Sequence, residues 1–318
     1  MKLHDAVTRY IDHKRALGMR FKAEDFILRA LCRALGDVTL RQIQAEPMTA
    51  FLNGRNPLEI TATWHKKYSV IRGFYRFALA RGMAKTSPLP RHVPQRTAPA
   101  FVPYIYSQSE LKRLLDAVPA CCSGKVSVHA DVFRTMLLLL YGAGLRLEEA
   151  LSLTTNDVDL DQAVICIRET KFYKTRLVPL GRDITFALAL YVGARGSNSF
   201  DQPGAPFFSL RDGRRVSQSI ARRIFASVRA LAGVRRQDQC RYQPRLHDLR
   251  HTAAVHRLIA WYRSGEDLQV LLPRLVTYLG HVNLAATQHY LTLTPDLLNE
   301  ASTRFERYAF GDNHGSQS

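Results

Sequence analysis

Five prolines within a short stretch divide this chain. They stand at positions 88, 90, 94, 99 and 103. Proline lacks an amide hydrogen and disfavours helix at the residue before it, so no regular element is expected to cross this stretch. The pattern predicts a helical domain over residues 1–87, an extended linker over 88–104, a larger domain over 105–308 and a polar tail over 309–318. With 318 residues, the chain is long enough for two domains that each bury a core.

The segment before the linker predicts helices alone. Apolar residues recur at spacings of three and four over residues 4–17 and 23–35, and Gly36 is placed to end the second helix. The longest predicted helix runs from about Thr61 to Arg81, with Gly82 as its stop signal. Its apolar stripe consists of Trp64, Tyr68, Ile71, Tyr75 and Ala78. Its polar stripe consists of His65, Ser69, Arg72 and Arg76.

The larger domain is predicted to be mainly helical with a small sheet. Ser107 and Glu110 have the spacing of a capping box and begin a helix. The runs Ala163–Glu169 and Arg176–Leu180 are rich in Val, Ile and Leu and flank a short loop, which predicts a β-hairpin. Residues 183–307 are again mostly helical. The expected fold class is therefore mainly α with a small antiparallel β-sheet (α+β), in two domains.

The charge of the chain favours a polyanionic partner. It has 45 Lys and Arg against 27 Asp and Glu, a net charge of +18, which points to nucleic acid or an anionic membrane surface. The first 100 residues hold 18 basic and 7 acidic side chains, so the helical domain is expected to grip DNA, with Arg72 and Arg76 as candidate contacts. A solvated basic face is the alternative.

A second basic cluster lies in the larger domain. The whole cluster is expected to bind DNA phosphates, with Arg222 and Arg223 as the candidate contacts, and a solvated helix face remains the alternative for half of it. Its members are Arg214, Arg215, Arg222, Arg223, Arg229, Arg235 and Arg236.

Other classes of protein are disfavoured. The longest apolar run, Met136–Leu145, is shorter than the ~20 residues of a spanning helix, and the charged N-terminus lacks the apolar core of a signal peptide. We expect a cytoplasmic, nucleoid-associated protein without a membrane partner. The five cysteines form no CxxC pair, so neither a disulfide framework nor a zinc site is indicated. No metal and no cofactor are predicted.

Several residues could take part in catalysis. Each alone is weak evidence for an active site, but their order along the chain is informative. The segments are GAGLRLEEALSL with Arg146 and Glu149, TKFYKTRLVPL with Lys171 and Lys174, LHDLRHTAA with His247 and Arg250, LGH ending at His281, and then Tyr290. In this order they resemble the catalytic boxes of the tyrosine recombinase (integrase) family. The resemblance covers the whole chain after the linker.

The resemblance implies a site-specific DNA recombinase that cuts and rejoins strands through a 3′-phosphotyrosyl intermediate. Tyr290 matches the nucleophile, and Arg146 and Arg250 match the arginines that bind the phosphate, for which a guanidinium suits better than an ammonium. Lys171 matches the general acid that protonates the departing 5′-oxygen. Lys174 is its rival in the same loop, but the family pattern places the catalytic lysine at the first position.

The remaining positions of the pattern are expected to assist. His247 and Arg250 are three residues apart and share a helix face. His247 lies at the helix start, where the positive end of the helix dipole disfavours an imidazolium, so it suits a base or hydrogen-bond partner for the nucleophile. The resemblance makes His281 a hydrogen-bond donor to the phosphate. Glu149, one turn after Arg146, is expected to orient neighbouring groups rather than transfer protons.

Three further histidines receive no catalytic role. His256 falls on an apolar helical stripe and is expected to be a satisfied, half-buried residue, while His251 and His289 are given no role beyond support. The stretch between Arg250 and His281 is longer than in compact members of the family. A transposon, integron or phage-type integrase is therefore a better match than a chromosome-dimer resolvase.

The expected partner is double-stranded DNA, bound by a homotetramer on two duplexes, with sister recombinases as an open alternative. A segment after Tyr290 is expected to dock into a neighbouring protomer, as in the family. One rival is a type IB topoisomerase, which the HxxR box and the short segment after Tyr290 disfavour. Another is a non-catalytic DNA-binding helper subunit. A metal-dependent transposase is disfavoured because no trio of carboxylates stands out.

Overall fold

The structure is a computed structural model of the full chain. The residues it describes are 1–54, 59–95, 97, 102–124, 126–168, 175–195, 204–238, 240, 242–280 and 302. Contacts divide the chain into two compact units, Met1–Phe101 and Val102–Ser318. Across the described ranges, no helix is both long and apolar enough to cross a membrane.

Five residues singled out in the sequence lie outside the described residues. They are Lys171, Lys174, His281, His289 and Tyr290. Arg146, Glu149, His247 and Arg250 are all described.

The described part of the first unit contains four helices. They are α1 (Leu3–Ala16), α2 (Lys22–Leu35), α3 (Ala45–Asn53) and α4 (Ala62–Ala80). The sequence pattern predicted α1, α2 and α4 but not α3. With nine residues, α3 is shorter than the ~10–12 residues over which apolar spacing identifies a helix.

Helix α4 separates an apolar face from a basic face, as its two stripes predicted. Trp64, Ile71 and Tyr75 are buried, whereas Arg72 and Arg76 are exposed. The proline-rich stretch after α4 contains no helix in its described part, and the Tyr68 hydroxyl donates to the carbonyl oxygen of residue 90 at 3.1 Å. That part of the stretch is therefore fastened to the helical unit.

The second unit combines seven described helices with a small sheet, which confirms the predicted fold class. The helices are α5 (Gln108–Cys121), α6 (Ala130–Gly142), α7 (Leu147–Ser152), α8 (Arg182–Arg195), α9 (Gln218–Leu231), α10 (Leu246–Arg263) and α11 (Leu268–Leu279). The strands β1 (Val158–Asp159), β2 (Val164–Ile167) and β3 (Arg176–Pro179) form an antiparallel sheet in the order β1-β2-β3.

The core of the second unit lies around α6 and fixes the start of α10. Phe133 and Leu139 of α6 are fully buried in it. Tyr106 is also buried there; its amide donates to the Thr252 hydroxyl and its own hydroxyl donates to the Arg245 carbonyl oxygen, both at 3.0 Å. Because these two bonds hold the first turns of α10, the residues that follow Arg245 are firmly positioned.

Two outcomes concern charged or titratable residues outside the site. His256 is half-buried and its Nδ1 lies 2.9 Å from the Tyr141 hydroxyl, which confirms the predicted satisfied histidine. Arg236 contradicts its assignment to a phosphate-binding cluster. Its side chain is 4 % exposed, pairs with Asp238 at 2.6 Å and donates to the carbonyl oxygen of Val102 at 2.9 Å, so it serves the packing of the unit.

Candidate active site

A glycine turn between α6 and α7 begins the site. Gly144 has φ +60°, and a Cβ there would lie 2.8 Å from Cδ2 of Leu279. Both the left-handed backbone and the close contact therefore require glycine. The turn ends at Arg146, directly before α7, and it presents the Gly144 carbonyl oxygen to the start of α10.

Glu149 in α7 holds both the backbone and the side chain of Arg146. The Arg146 amide donates to Glu149 Oε2 at 2.9 Å, and Nη1 donates to Oε1 at 2.7 Å. The other terminal nitrogen, Nη2, donates to the carbonyl oxygen of Gly280 at 2.8 Å. The side chain of Arg146 is still 35 % exposed, so its guanidinium can be reached from solvent.

Arg250 lies in α10 and is buried beside Arg146. Its Nη1 donates to the Gly144 carbonyl oxygen at 2.7 Å, and its Nη2 donates to the carbonyl oxygen of Leu279. The same Nη1 is 3.9 Å from Glu149 Oε2. The Arg250 charge is thus held by groups from three separate parts of the unit, and its side chain is only 2 % exposed.

A third arginine, Arg176, completes the cluster and was missed by the sequence reasoning. It is the first residue of β3, and its Nη1 and Nη2 donate to Oε1 and Oε2 of Glu149 at 3.0 and 2.8 Å. In the sequence it counted only as the start of an apolar run. The available signal was its position, since it is the one charged residue in the strand RLVP and directly follows the lysine loop.

Arg146, Arg250 and Arg176, together with the Glu149 carboxylate, form a strongly positive site. Burial alone would raise the pKa of Glu149, but hydrogen bonds and charge from Arg176 and Arg146 lower it from 4.5 to about 2. The carboxylate is therefore ionised at neutral pH. With three arginines around one carboxylate, the cluster carries a net charge of +2, which favours an anionic ligand. The orienting role predicted for Glu149 agrees with this geometry.

Removing the Glu149 charge is expected to lower stability in a pH-dependent way. The pKa shift from 4.5 to about 2 corresponds to about 3 kcal/mol that is fully present above pH 4.5 and is lost as the pH falls towards 2. Glu149→Gln should therefore unfold at lower urea concentration than the wild type at neutral pH, and the gap should close in acid. Urea unfolding over a pH series measures this, with Glu148→Gln, which changes an exposed neighbour, as the matched control. A gap that stays constant down to about pH 3 would contradict the assignment.

His247 is held as a neutral imidazole next to the arginines. It is the second residue of α10 and remains exposed, yet surrounding protein displaces part of its hydration. This loss of hydration and the charges of Arg250 and Arg245 lower the pKa of His247 to about 4. The sequence had predicted the direction from the helix dipole. A neutral imidazole can accept a proton at physiological pH.

The described part of the site can bind an anion and accept a proton. Arg146 offers an accessible cation, Arg250 and Arg176 add buried positive charge, and His247 offers a basic nitrogen. In the sequence, Gly280 directly precedes His281, and Arg176 follows the loop that contains Lys171. Arg176 and Gly280, which holds Arg146, are therefore neighbours in the chain of the segments that contain Lys171 and His281.

Comparison with known sequences gives a consistent family. The model of the phage integrase family matches residues 106–296. The protein named "Putative integrase/recombinase y4rB" from Sinorhizobium fredii is 33 % identical over 305 residues, which covers 95 % of this chain and 96 % of that protein. The tyrosine recombinase XerA of Thermococcus kodakarensis is 29 % identical over 238 residues, covering 74 % of this chain and 72 % of the relative.

Solved structures share the fold at low sequence identity. The integrase of transposon Tn1549, in complex with a circular intermediate DNA, superposes with a TM-score of 0.68 at 16 % identity and covers 96 % of this chain and 99 % of that one. A lambda integrase dimer bound to a COC′ core site gives a TM-score of 0.62 at 18 % identity, over 89 % of this chain and 96 % of that one.

Proposed function

This chain belongs to the phage integrase family and is a tyrosine-type site-specific recombinase, and we propose that it cuts DNA by attack of Tyr290 on a phosphate bound at Arg146 and Arg250. The observation that carries the assignment of residues is the cluster of three arginines around Glu149. A phosphodiester gains negative charge as an oxygen attacks it, and preorganised cations are the groups that stabilise such charge.

Each step of cleavage has a group proposed for it. The Tyr290 oxygen forms a bond to phosphorus while the bond from phosphorus to the 5′-oxygen breaks. His247 accepts the phenolic proton, and Lys171 donates a proton to the departing 5′-oxygen. His281 donates a hydrogen bond to the phosphate. Because the phosphotyrosyl bond replaces a phosphodiester bond of similar energy, the reverse reaction rejoins the strands without ATP.

Covalent capture tests this function and finds the target sequence in one experiment. The probe is a pool of duplexes with random sequence around one phosphate whose bridging 5′-oxygen is replaced by sulfur. The thiolate that leaves is a poor nucleophile for rejoining, so the adduct accumulates. We expect an adduct that survives denaturation, is linked to the 3′-phosphate and maps by mass spectrometry to Tyr290. Linkage to another residue or to a 5′-phosphate would overturn the assignment.

We further propose a homotetramer on two duplexes that serves a mobile element. The Sinorhizobium fredii relative, which matches over nearly its whole length, is named an integrase/recombinase. The fold is shared with a transposon integrase bound to DNA and a lambda integrase dimer bound to DNA. Recombination exchanges strands between two sites, which requires one active site for each of four strands. A recombinase acts where its DNA lies, and we propose the cytoplasm, with the nucleoid, as the site of this activity.

The exposed basic face of α4 is proposed to contact DNA phosphates. Removing one side chain that neutralises a phosphate should reduce the slope of log affinity against log salt by about 0.9. Changing Arg72 and Arg76 together to Gln is therefore expected to flatten the slope by about two units and weaken binding alike for all sequences. A salt series measured by fluorescence anisotropy checks this. The charge-matched control changes Arg33 and Arg41, also exposed, to Gln; an equal effect there would remove any special role for α4.

A further inference from the structure

Arg176 makes a two-bonded fork to Glu149 and covers a bare glycine. A Cβ placed on Gly280 would lie 2.8, 2.9 and 3.1 Å from Nη1, Cζ and Nε of Arg176. The guanidinium therefore lies against the Gly280 backbone, which has φ +66° and no side chain. The same glycine accepts the hydrogen bond from Arg146 through its carbonyl oxygen. The Arg176 guanidinium thus contacts both Glu149 and Gly280, the two residues that accept hydrogen bonds from Arg146.

The fork saturates the Glu149 carboxylate. Oε1 accepts from Nη1 of Arg146 and Nη1 of Arg176, and Oε2 accepts from the Arg146 amide and Nη2 of Arg176. A carboxylate has about four lone-pair positions, so these bonds use its capacity. Its Oε2 stays 3.9 Å from Nη1 of Arg250. Without Arg176, two positions would open, and the carboxylate could turn away from Arg146 towards Arg250.

Arg176 stabilises the ionised Glu149 carboxylate, but its position also carries costs. Arg146 and Glu149 already form an ion pair at 2.7 Å, and a third cation that is 14 % exposed adds repulsion from Arg146 and Arg250. Its Nε is buried, with no hydrogen-bond partner among the described residues, which adds a desolvation cost. Such costs are typical of groups retained for function.

We propose that Arg176 is a positioning residue for DNA cleavage, which locks the Glu149 carboxylate so that Arg146 and Arg250 meet the phosphate in fixed orientation. This inference rests on the function proposed above. Since β3 follows the loop of Lys171, and Gly280 precedes His281 in the chain, the Arg176 side chain also ties the lysine-bearing hairpin to the arginine site.

The test compares two forms of the scissile phosphate. The substrate is a duplex with the target sequence found by covalent capture. It is made once with the natural phosphodiester and once with a methylphosphonate, in which one charged oxygen is replaced by a methyl group. Arginines that act by neutralising charge matter less for the uncharged form. Arg176→Ala should cleave the phosphodiester about 100-fold more slowly than the wild type, with DNA affinity changed by less than about threefold. On the methylphosphonate, the deficit should shrink to about tenfold or less.

Arg168→Ala is the matched control, and Arg176→Lys is a second variant for the case that Arg176→Ala does not fold. Arg168 follows β2 in the same hairpin, is 62 % exposed and pairs with Asp157 away from the site; its variant should match the wild type on both substrates. Arg176→Lys retains the charge without the fork and should show the same pattern with a smaller deficit, which decides the case if Arg176→Ala unfolds. Wild-type rates for Arg176→Ala, or an equal deficit on both substrates, would overturn the inference. A wild type that forms no adduct would instead overturn the proposed function.

Discussion

Replacement of Tyr290 by phenylalanine is expected to abolish the covalent protein–DNA adduct and to leave DNA affinity unchanged. Phenylalanine keeps the aromatic ring and removes only the oxygen that would bond to phosphorus. Denaturing gel electrophoresis after incubation with the captured duplex measures the adduct, and fluorescence anisotropy measures the affinity. The expected loss is complete, because no second group in the proposed mechanism can form the phosphotyrosyl bond.

Tyr278→Phe provides the matched control. Its hydroxyl donates to the carbonyl oxygen of Pro179 at 3.3 Å, and burial raises the pKa of this phenol, so it is a poor nucleophile. The variant should form the adduct at the wild-type rate. EDTA should leave the wild-type reaction unchanged, since side chains fill every proposed role. An adduct formed by Tyr290→Phe, or a strict requirement for magnesium, would refute the mechanism.

The order of short motifs predicted three members of the described cluster but neither Arg176 nor the bonds within the cluster. Arg146, Glu149, His247 and Arg250 were chosen from the sequence, and the structure brings Arg146, Glu149 and Arg250 together. The carbonyl groups that hold the two arginines, such as that of Gly280, could not be predicted. Every residue has a carbonyl, so which one accepts a bond is decided by the path of the backbone and carries no signal in residue type.

The misses have a common physical cause, which is that charge alone does not predict burial. Arg236 stood in a basic cluster and was assigned to phosphate, yet Asp238 and the distant backbone carbonyl of Val102 let it be buried. Arg176 was overlooked because a basic residue at the start of a short strand is common on protein surfaces. In both cases the fold decides which acceptors meet the arginine, Asp238 and Val102 for Arg236 and Glu149 for Arg176, and composition cannot reveal them.

The sequence predicted correctly that the pKa of His247 is lowered, but it gave an incomplete cause. The sequence attributed this direction to the helix dipole at the start of α10. The structure adds loss of hydration and the positive charges of Arg250 and Arg245, which together lower the pKa to about 4. The positive charges that would bind the phosphate therefore also help to keep His247 neutral, so that it can accept a proton.

Lys171→Ala is expected to be slow on natural DNA and largely rescued by sulfur at the bridging 5′-position. An alkoxide leaving group needs a proton as it departs, whereas a thiolate leaves without one. If Lys171 is the general acid, the loss of its proton matters only for the oxygen substrate. Cleavage rates of the variant and the wild type on the two duplexes, each measured in a single turnover, give the rescue directly. We expect a deficit of about 100-fold or more on the oxygen substrate and nearly wild-type rates on sulfur.

Arg146→Ala, Arg250→Ala and Lys174→Ala distinguish the acid from the groups that bind the phosphate. Sulfur at the bridging position leaves the non-bridging oxygens in place, so both arginine variants should remain slow on either substrate. Lys174→Ala lies in the same loop and should stay near the wild type on both. Rescue of Lys174→Ala instead of Lys171→Ala would assign the acid to the other lysine. If neither lysine variant is rescued, the loop does not supply the proton, and the arginine cluster must work with an acid from elsewhere in the chain.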